Sequence, residues 1–376
     1  MSKLLDKLFR AADRLHNKYE YKKYVRRSDQ RIKDSLKKVK NRRRLTKEQA
    51  SEVKAFYKEL TGRNISLLYH EYFYSRTGVY CKEYMPIGFF EAELIGRANH
   101  WNRYYPSYAD KNMDEAFLPH IRHPYSILKN INGYFYYKGN PVSKKDAVSL
   151  CKNIDEAIIK PSLKSKGKGV MMIKVSDGVS NIEEKTIEEI FDIYKENYLI
   201  QEVVHQHPAI SALNPTSVNT IRILTYRSDM EIIVVYAVIR IGRTGQVIDN
   251  QSVGGISTII HEDGTLGKYA FGAAGDDMIE KSDTGIVLDG YKIPYFEKVI
   301  EAVKKSHYCL PFFDLVGWDV SINEDGDPVL IEWNGNAGPS QTACGTGLGK
   351  YTEKIVKELL QRKNTRNFIK LEKTLH

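Results

Sequence analysis

Two carboxylates and a side-chain amide near the C-terminal end are spaced for metal chemistry. Asp319 closes Gly317-Trp318-Asp319, and Glu332 and Asn334 flank Trp333 in Ile331-Glu332-Trp333-Asn334. Between them, Asn323-Glu324-Asp325-Gly326-Asp327 separates two strand-like runs, Phe313 to Ile322 and Pro328 to Trp333. An Asp-Gly pair between apolar runs is a strong hairpin signal. A turn centred near Asp325-Gly326 sets Asp319 across the ladder from Ile331 or Glu332. The two-residue spacing puts Glu332 and Asn334 on one strand face. Hard oxygens converging in this way suit magnesium carrying a nucleoside triphosphate. The plainer alternative is a polar hairpin face with two solvated acids.

Phosphate handling is suggested further upstream. Ile158-Ile159-Lys160-Pro161-Ser162 ends a strand with a lysine, and a basic glycine loop follows, Lys164-Ser165-Lys166-Gly167-Lys168-Gly169. Such a loop offers exposed amides and positive charge to phosphates, although a solvated turn has the same composition. It is not a Walker A loop, because G-x-x-x-x-G-K-[ST] is absent. Gly345-Thr346-Gly347-Leu348-Gly349-Lys350 also fails as a dinucleotide fingerprint, since its spacing is wrong and no strand precedes it. Tyr198 to Val204 is an apolar strand carrying Gln201 and Glu202, able to present backbone groups to an adenine edge, as many edge strands are.

These groups need strands to hold them. Ala157 to Lys160, Val170 to Val175, Tyr198 to Val204, Val218 to Tyr226 and Glu231 to Ile241 read as strands from their β-branched content. Helices are expected from Thr46 to Leu60, with a Thr46/Gln49 capping box and a Gly62 stop, after Ser143, from Thr186 with Glu189 to about Lys195, and from Lys350 to Arg362. Strands outnumber helices and hairpins dominate, which predicts an antiparallel α+β protein rather than a doubly wound parallel sheet.

Composition sets the limits. The chain has 376 residues, 42% hydrophobic and 28% charged, enough for two or three cores. Its longest apolar run, Ile232 to Ile239, falls well short of the ~20 residues of a membrane span. No apolar signal-peptide core opens the sequence, and four scattered cysteines read as free thiols, so a cytoplasmic protein is expected, with the inner membrane face as an alternative seat. The net charge of +10 is concentrated. Residues 1–44 carry an excess of +12, leaving −2 for the rest. Leu4, Leu5, Leu8, Phe9, Ala12 and Leu15 recur at helical spacing among these cations. This basic helix could dock on its own domain, lie on an anionic membrane or hold an anionic glycan. Nucleic acid ranks last, because no nucleic-acid-binding motif accompanies it.

The order of these segments resembles the ATP-grasp superfamily over roughly residues 110 to 360. The metal hairpin carries most of the resemblance. Val218-Asn219-Thr220-Ile221-Arg222-Ile223 and Asp249-Asn250-Gln251-Ser252-Val253-Gly254-Gly255 resemble its sugar-transfer associated branch, met among surface-polysaccharide biosynthesis proteins. The resemblance implies two α+β subdomains clasping ATP within residues 111–365. These would be preceded by a basic helical region (1–62) and an aromatic-rich packing region (63–110), and followed by a tail (366–376). It implies that Lys160, and Lys111 in Ala109-Asp110-Lys111, hold the phosphates, that Lys166, Gly167 and Gly169 belong to a lid, and that Gln201, Glu202 and Val203 meet adenine. Asp319, Glu332 and Asn334 would bind two magnesium ions, with Glu332 bridging and manganese as the alternative metal. Arg222 and Arg240 would face the transferred phosphoryl group and the acceptor carboxylate. The usual ribose-binding acid is not evident; His205 or His207 stands nearby. Asn250, Gly254, Gly255 and Gln341 are candidates for the second-substrate pocket.

Phosphorylation makes a carboxylate attackable by an amine, and it needs positioning and neutralised charge rather than a protein nucleophile. An ATP-dependent carboxylate–amine ligase is therefore expected, joining an amino acid or amine to a carboxylated sugar. A peptide or protein ligase, and a scaffold with a vestigial nucleotide site, are the alternatives.

Overall fold

A computed structural model describes residues 2–99, 104–164, 167–245, 254–273, 277–345 and 347–364, with the side chains of residues 1–10, 13 and 106 left out. Two antiparallel sheets organise it. The first has seven strands in the order β3-β2-β1-β7-β4-β5-β6. They are β1 (Ser126–Ile131), β2 (Tyr134–Tyr137), β3 (Asn140–Val142), β4 (Ile154–Pro161), β5 (Met171–Ser176), β6 (Val179–Ser180) and β7 (Tyr198–Gln201). The second runs β10-β9-β8-β11-β12, from β8 (Thr220–Ser228), β9 (Glu231–Ile241), β10 (Ile256–Ile259), β11 (Leu315–Ile322) and β12 (Pro328–Asn334). Residues 202–219 connect the two sheets.

Each sheet is buried by a predictable stripe. In the seven-stranded sheet, Leu128, Ala157, Ile159, Ile173, Val175, Tyr198 and Ile200 face the helices Lys144–Leu150 and Ile187–Tyr194. Both helices open on their expected caps, Ser143 and the Thr186/Glu189 capping box. Alternation sends Ile158, Lys160, Leu199 and Gln201 to the opposite face. In the five-stranded sheet, Ile221, Ile223, Ile239 and Trp318 pack against the Phe296–Tyr308 helix. Leu224, Tyr226 and Val238 pack the other way, with Val53, Tyr57 and Leu60 of the Lys47–Thr61 helix and Ile355, Val356 and Leu359 of the Thr352–Leu360 helix.

Residues 47–98 thus share a core with the five-stranded sheet. The Lys47–Thr61 helix has its Thr46/Gln49 capping box and ends on Gly62 in the left-handed region, φ 68°. β7 stops at Gln201, short of the Val204 expected, because the Glu202 backbone N–H and carboxylate both bond to Tyr125, at 3.0 and 2.9 Å.

Candidate active site

One cross-strand row on the five-stranded sheet carries most of the charge. Arg222 on β8 lies opposite Asp319 on β11, which lies opposite Glu332 on β12. Directly paired residues point to the same face. The row depends on a bulge. Val320 pairs with Leu330, but the next rung pairs Asp319 with Glu332, leaving Ile331 as the extra residue. In a regular ladder, without the bulge, Asp319 would face Ile331, and Glu332 would point to the other side of the sheet. Asn334 lies two residues beyond Glu332 on the same face. Arg240 joins them, two residues along β9 from Val238, the partner of Arg222.

Asp319 is buried and held by two arginines. Arg222 contacts its two carboxylate oxygens through Nε and Nη2, each at 2.5 Å, and Arg240 Nη1 lies 3.2 Å from Oδ1. Burial alone would raise the Asp319 carboxyl, but Arg222 and Arg240 hold it below the usual carboxylate range. Burial also works against the charge on Arg222, and Asp319 reverses that and raises its pKa. Gly317, on the next rung, makes room for this packing. A Cβ there would collide with Ala337 and come within 3.2 Å of Arg222 Nη1.

Lys111 ties the two sheets together. Its Nζ lies 3.2 Å from Glu332 Oε1 and donates to the Lys164 carbonyl at 2.8 Å, while its backbone N–H donates to the Ser162 carbonyl at 3.2 Å. Lys160, at the end of β4, opposes the same acids. Burial, aided by the charge of Lys111, lowers its pKa to about 8 against the pull of Asp114 and Glu332. The loop after Lys160 turns through Gly167 and Gly169, both at positive φ (70° and 75°), and Tyr194 Oη donates to the Gly169 carbonyl at 2.7 Å. Lys166 lies outside the described residues, as does Asn250.

Two residues here escaped the sequence reading. Asp114, three positions after Lys111 and so on the same side of a helical turn, is buried and accepts from Trp333 Nε1 at 3.1 Å. Burial pushes its carboxyl up to about 7, against the pull of Lys160. Lys129 lies opposite Leu199, which lies opposite Lys160. Its Nζ reaches the Asn112 carbonyl and Glu115 Oε2, at 3.0 and 2.9 Å. The Asp-Lys-Asn-Met-Asp spacing signalled the first; nothing local signalled the second.

The remaining candidates are dispersed. Gln201 is buried and donates to the Pro124 carbonyl at 3.3 Å. Glu202 spends one carboxylate oxygen on the Tyr125 N–H, and Val203 follows, half-buried, where the chain leaves the seven-stranded sheet. His207 lies apart from the charged row. It caps the Pro208–Ser211 turn through Nδ1, bonds to the Ile322 carbonyl and packs on Tyr295. His205 pairs with Glu156 at 3.2 Å. Gly254, at φ 108°, and Gly255 lead into β10, whose Ser257 pairs with Arg240. Gln341 departs from the expected pocket wall. It is 1% exposed, accepts from the Met85 N–H at 2.6 Å and donates to the Met85 carbonyl at 2.8 Å. Its amide is consumed as a strut under the 335–345 loop.

Two carboxylates and an amide share the face, and among the described residues no three His, Cys, Asp or Glu side chains form a cage. That donor set fits magnesium, which takes few protein ligands and completes its shell with phosphates and water.

The chain belongs to the sugar-transfer associated ATP-grasp family, whose sequence pattern it matches over residues 90–357. ATP-grasp enzymes use ATP and magnesium. Among solved structures it is similar to VanG D-Ala:D-Ser ligase from Enterococcus faecalis, at 12% identity and TM-score 0.39, covering 67% of this chain and 61% of that one. It is also similar to the L-amino acid ligase from Bacillus licheniformis, at 12% identity and TM-score 0.37, covering 68% and 48%. A third is the D-alanine–D-alanine ligase from Helicobacter pylori, at 14% and 0.36, covering 69% and 59%. The chain thus spans about half to three fifths of the length of these structures. Comparison with curated proteins finds no match.

Proposed function

We propose that the protein is an ADP-forming carboxylate–amine ligase working through an acyl phosphate, and that its acceptor is a carboxylated sugar of a surface polysaccharide. The observation that carries this reading is Lys111, a cation shared between the phosphate loop and Glu332, with Lys160 beside it and Asp114. Cations from one sheet facing acids from the other are what a triphosphate–metal complex needs on its two sides.

In this reading Lys160 and Lys111 hold the phosphates under the Gly167–Gly169 loop, and Gln201, Glu202 and Val203 border adenine. Ser162 Oγ, buried without a partner among the described residues, is a spare hydroxyl at the same loop. Asp319, Glu332 and Asn334 would hold magnesium, which neutralises charge on the transferred phosphoryl group when bound. Arg222 fixes Asp319, and Arg240, less fully enclosed, turns its remaining donors toward the acceptor carboxylate. A carboxylate oxygen attacks the γ-phosphorus and ADP leaves. The amine nitrogen then attacks the acyl carbon, phosphate leaves with the former carboxylate oxygen, and the nitrogen sheds a proton. Gly254 and Gly255 open the approach beside Arg240, and Asn250 belongs to the same segment. The sugar acceptor rests on the family alone. The basic N-terminal helix adds a second place for an anionic partner, away from the cleft.

The test is incubation with ATP, magnesium, mixed amino acids and uronic-acid acceptors. ADP release dependent on both an amine and a uronic acid is expected. AMP and pyrophosphate would exclude the acyl-phosphate route, and turnover only with polypeptide acceptors would replace the sugar by a protein.

A further inference from the structure

We propose that the N-terminal helix is an in-plane anchor that seats this protein on an anionic lipid surface, its outward Leu15 and Tyr19 entering the headgroup layer while Lys22 and Arg26 engage lipid phosphates. The helix, Ser2–Leu36, is 35 residues long, about 50 Å at the usual rise. Among the described residues, one face does the packing. Tyr21, Tyr24 and Val25 pack on Ala92, Ser28 Oγ bonds Tyr69 Oη at 2.8 Å, and Ile32 and Leu36 enter a core with Tyr69, Tyr72 and Phe73.

Half a turn away, the opposite face carries Leu15, Tyr19, Lys22 and Arg26 at intervals of four, three and four. Leu15 is 70% exposed and Tyr19 61%. Lys22 and Arg26 have no acidic partner among the described residues. Tyr19, Lys22, Lys23, Arg26, Arg27 and Gln30 surround a shallow hollow on this face. Along this face the described positions pass from Leu15 and Tyr19 to Lys22 and Arg26, from apolar to basic along one line. Among the described residues no helix is long and apolar enough to cross a membrane, so a membrane contact by this helix is an in-plane one.

The cations alone would suit any polyanion. The exposed leucine beside the tyrosine decides for lipid: a sugar ring can stack on Tyr19 but offers Leu15 little, whereas a bilayer interface takes up both and the cations beside them. The bulk of the chain is nearly neutral, so attraction to an acidic surface orients the molecule with this helix downward.

The test is sedimentation of the full-length protein with vesicles of pure phosphatidylcholine, or of equal parts phosphatidylcholine and phosphatidylglycerol, alongside heparin binding in solution. Expected are binding to the anionic vesicles only, weakening as salt rises, and a loss of about tenfold or more in the Lys22→Glu/Arg26→Glu protein, given the cost of reversing charges at such a surface. The Leu15→Ser/Tyr19→Ser protein should lose vesicle binding severalfold and keep its heparin binding. Equal binding to both vesicle types, or vesicle binding untouched by Leu15→Ser/Tyr19→Ser, overturns the proposal. Binding to heparin without any to vesicles also overturns it, and assigns the face to a glycan. All four positions are on the surface and remote from the cleft, so ADP release with soluble substrates is unchanged in either variant and reports separately on the ligase reading.

Discussion

Asp319 and Glu332 share one rung, yet their loss should read out differently. Asp319 is buried between Arg222 and Arg240, and removing one member of a buried ion pair leaves the other charge stranded, at about 3–5 kcal/mol. Asp319→Ala is therefore expected to lower unfolding free energy by roughly 3 kcal/mol as well as to abolish turnover. Glu332 is half-buried and faces Lys111. Glu332→Gln should cut turnover by about 10² while leaving thermal unfolding nearly unchanged. A Glu332→Gln protein that melts as early as Asp319→Ala would mean that the whole row is structural. Lys160 gives a pH signature. Its pKa in the free protein is about 8, so the charged form, the one that would attract phosphate under the proposed function, prevails below pH 8 and is lost above it. ATP affinity should weaken as pH rises through about 8, and Lys160→Arg, which keeps its charge, should flatten that limb. Isothermal titration across this range decides; an unchanged slope in Lys160→Arg places the titrating group elsewhere.

Elements differ in how openly the sequence announced them. The capping boxes at Thr46 and Thr186 were legible because the signal is local. The β1–β3 meander was equally marked, by Asn132-Gly133 and Lys138-Gly139, all four at positive φ, and so was the Phe296–Tyr308 helix, by Phe296, Val299 and Val303. The bulge at Ile331 was not legible, since it is visible only as register against β11. The Trp333–Asp114 bond joins residues 219 positions apart, and no local pattern encodes it. Buried polar locks have the same character. His307 bonds Thr225 Oγ1 through Nδ1 at 2.8 Å and the Phe313 carbonyl through Nε2 at 2.9 Å, and Trp318 Nε1 donates to the same hydroxyl. Burial lowers the His307 pKa to about 3, from 6.5. The unfolded chain takes up this proton below about 6.5 and the folded protein does not, so stability is intact above that pH and falls as pH drops toward 3. At pH 5 the cost from this residue is roughly 2 kcal/mol. Denaturant titrations at pH 7 and pH 5 test it, with His307→Gln expected to show a smaller difference between the two.

At the scale of the molecule, the segment before the nucleotide-binding region is part of the same body. Tyr57 is 0% exposed, packs in the core that includes Leu224 and Leu359, and donates to the Tyr84 carbonyl at 3.0 Å. Tyr57→Ala is expected to cost about 3–5 kcal/mol, and calorimetry should show residues 47–98 and the five-stranded sheet melting in one transition. A separate early transition, leaving ATP binding intact above it, would contradict the shared core.

Gln341 has a consequence for how acceptor choice diversifies. Because its amide imitates a neighbouring strand for Met85, the 335–345 loop, which the proposed function would set near the acceptor, leans on a segment encoded more than two hundred residues earlier. Swapping that loop alone between relatives should give an unsupported flap, and swapping it together with its Met85 counterpart should transfer selectivity.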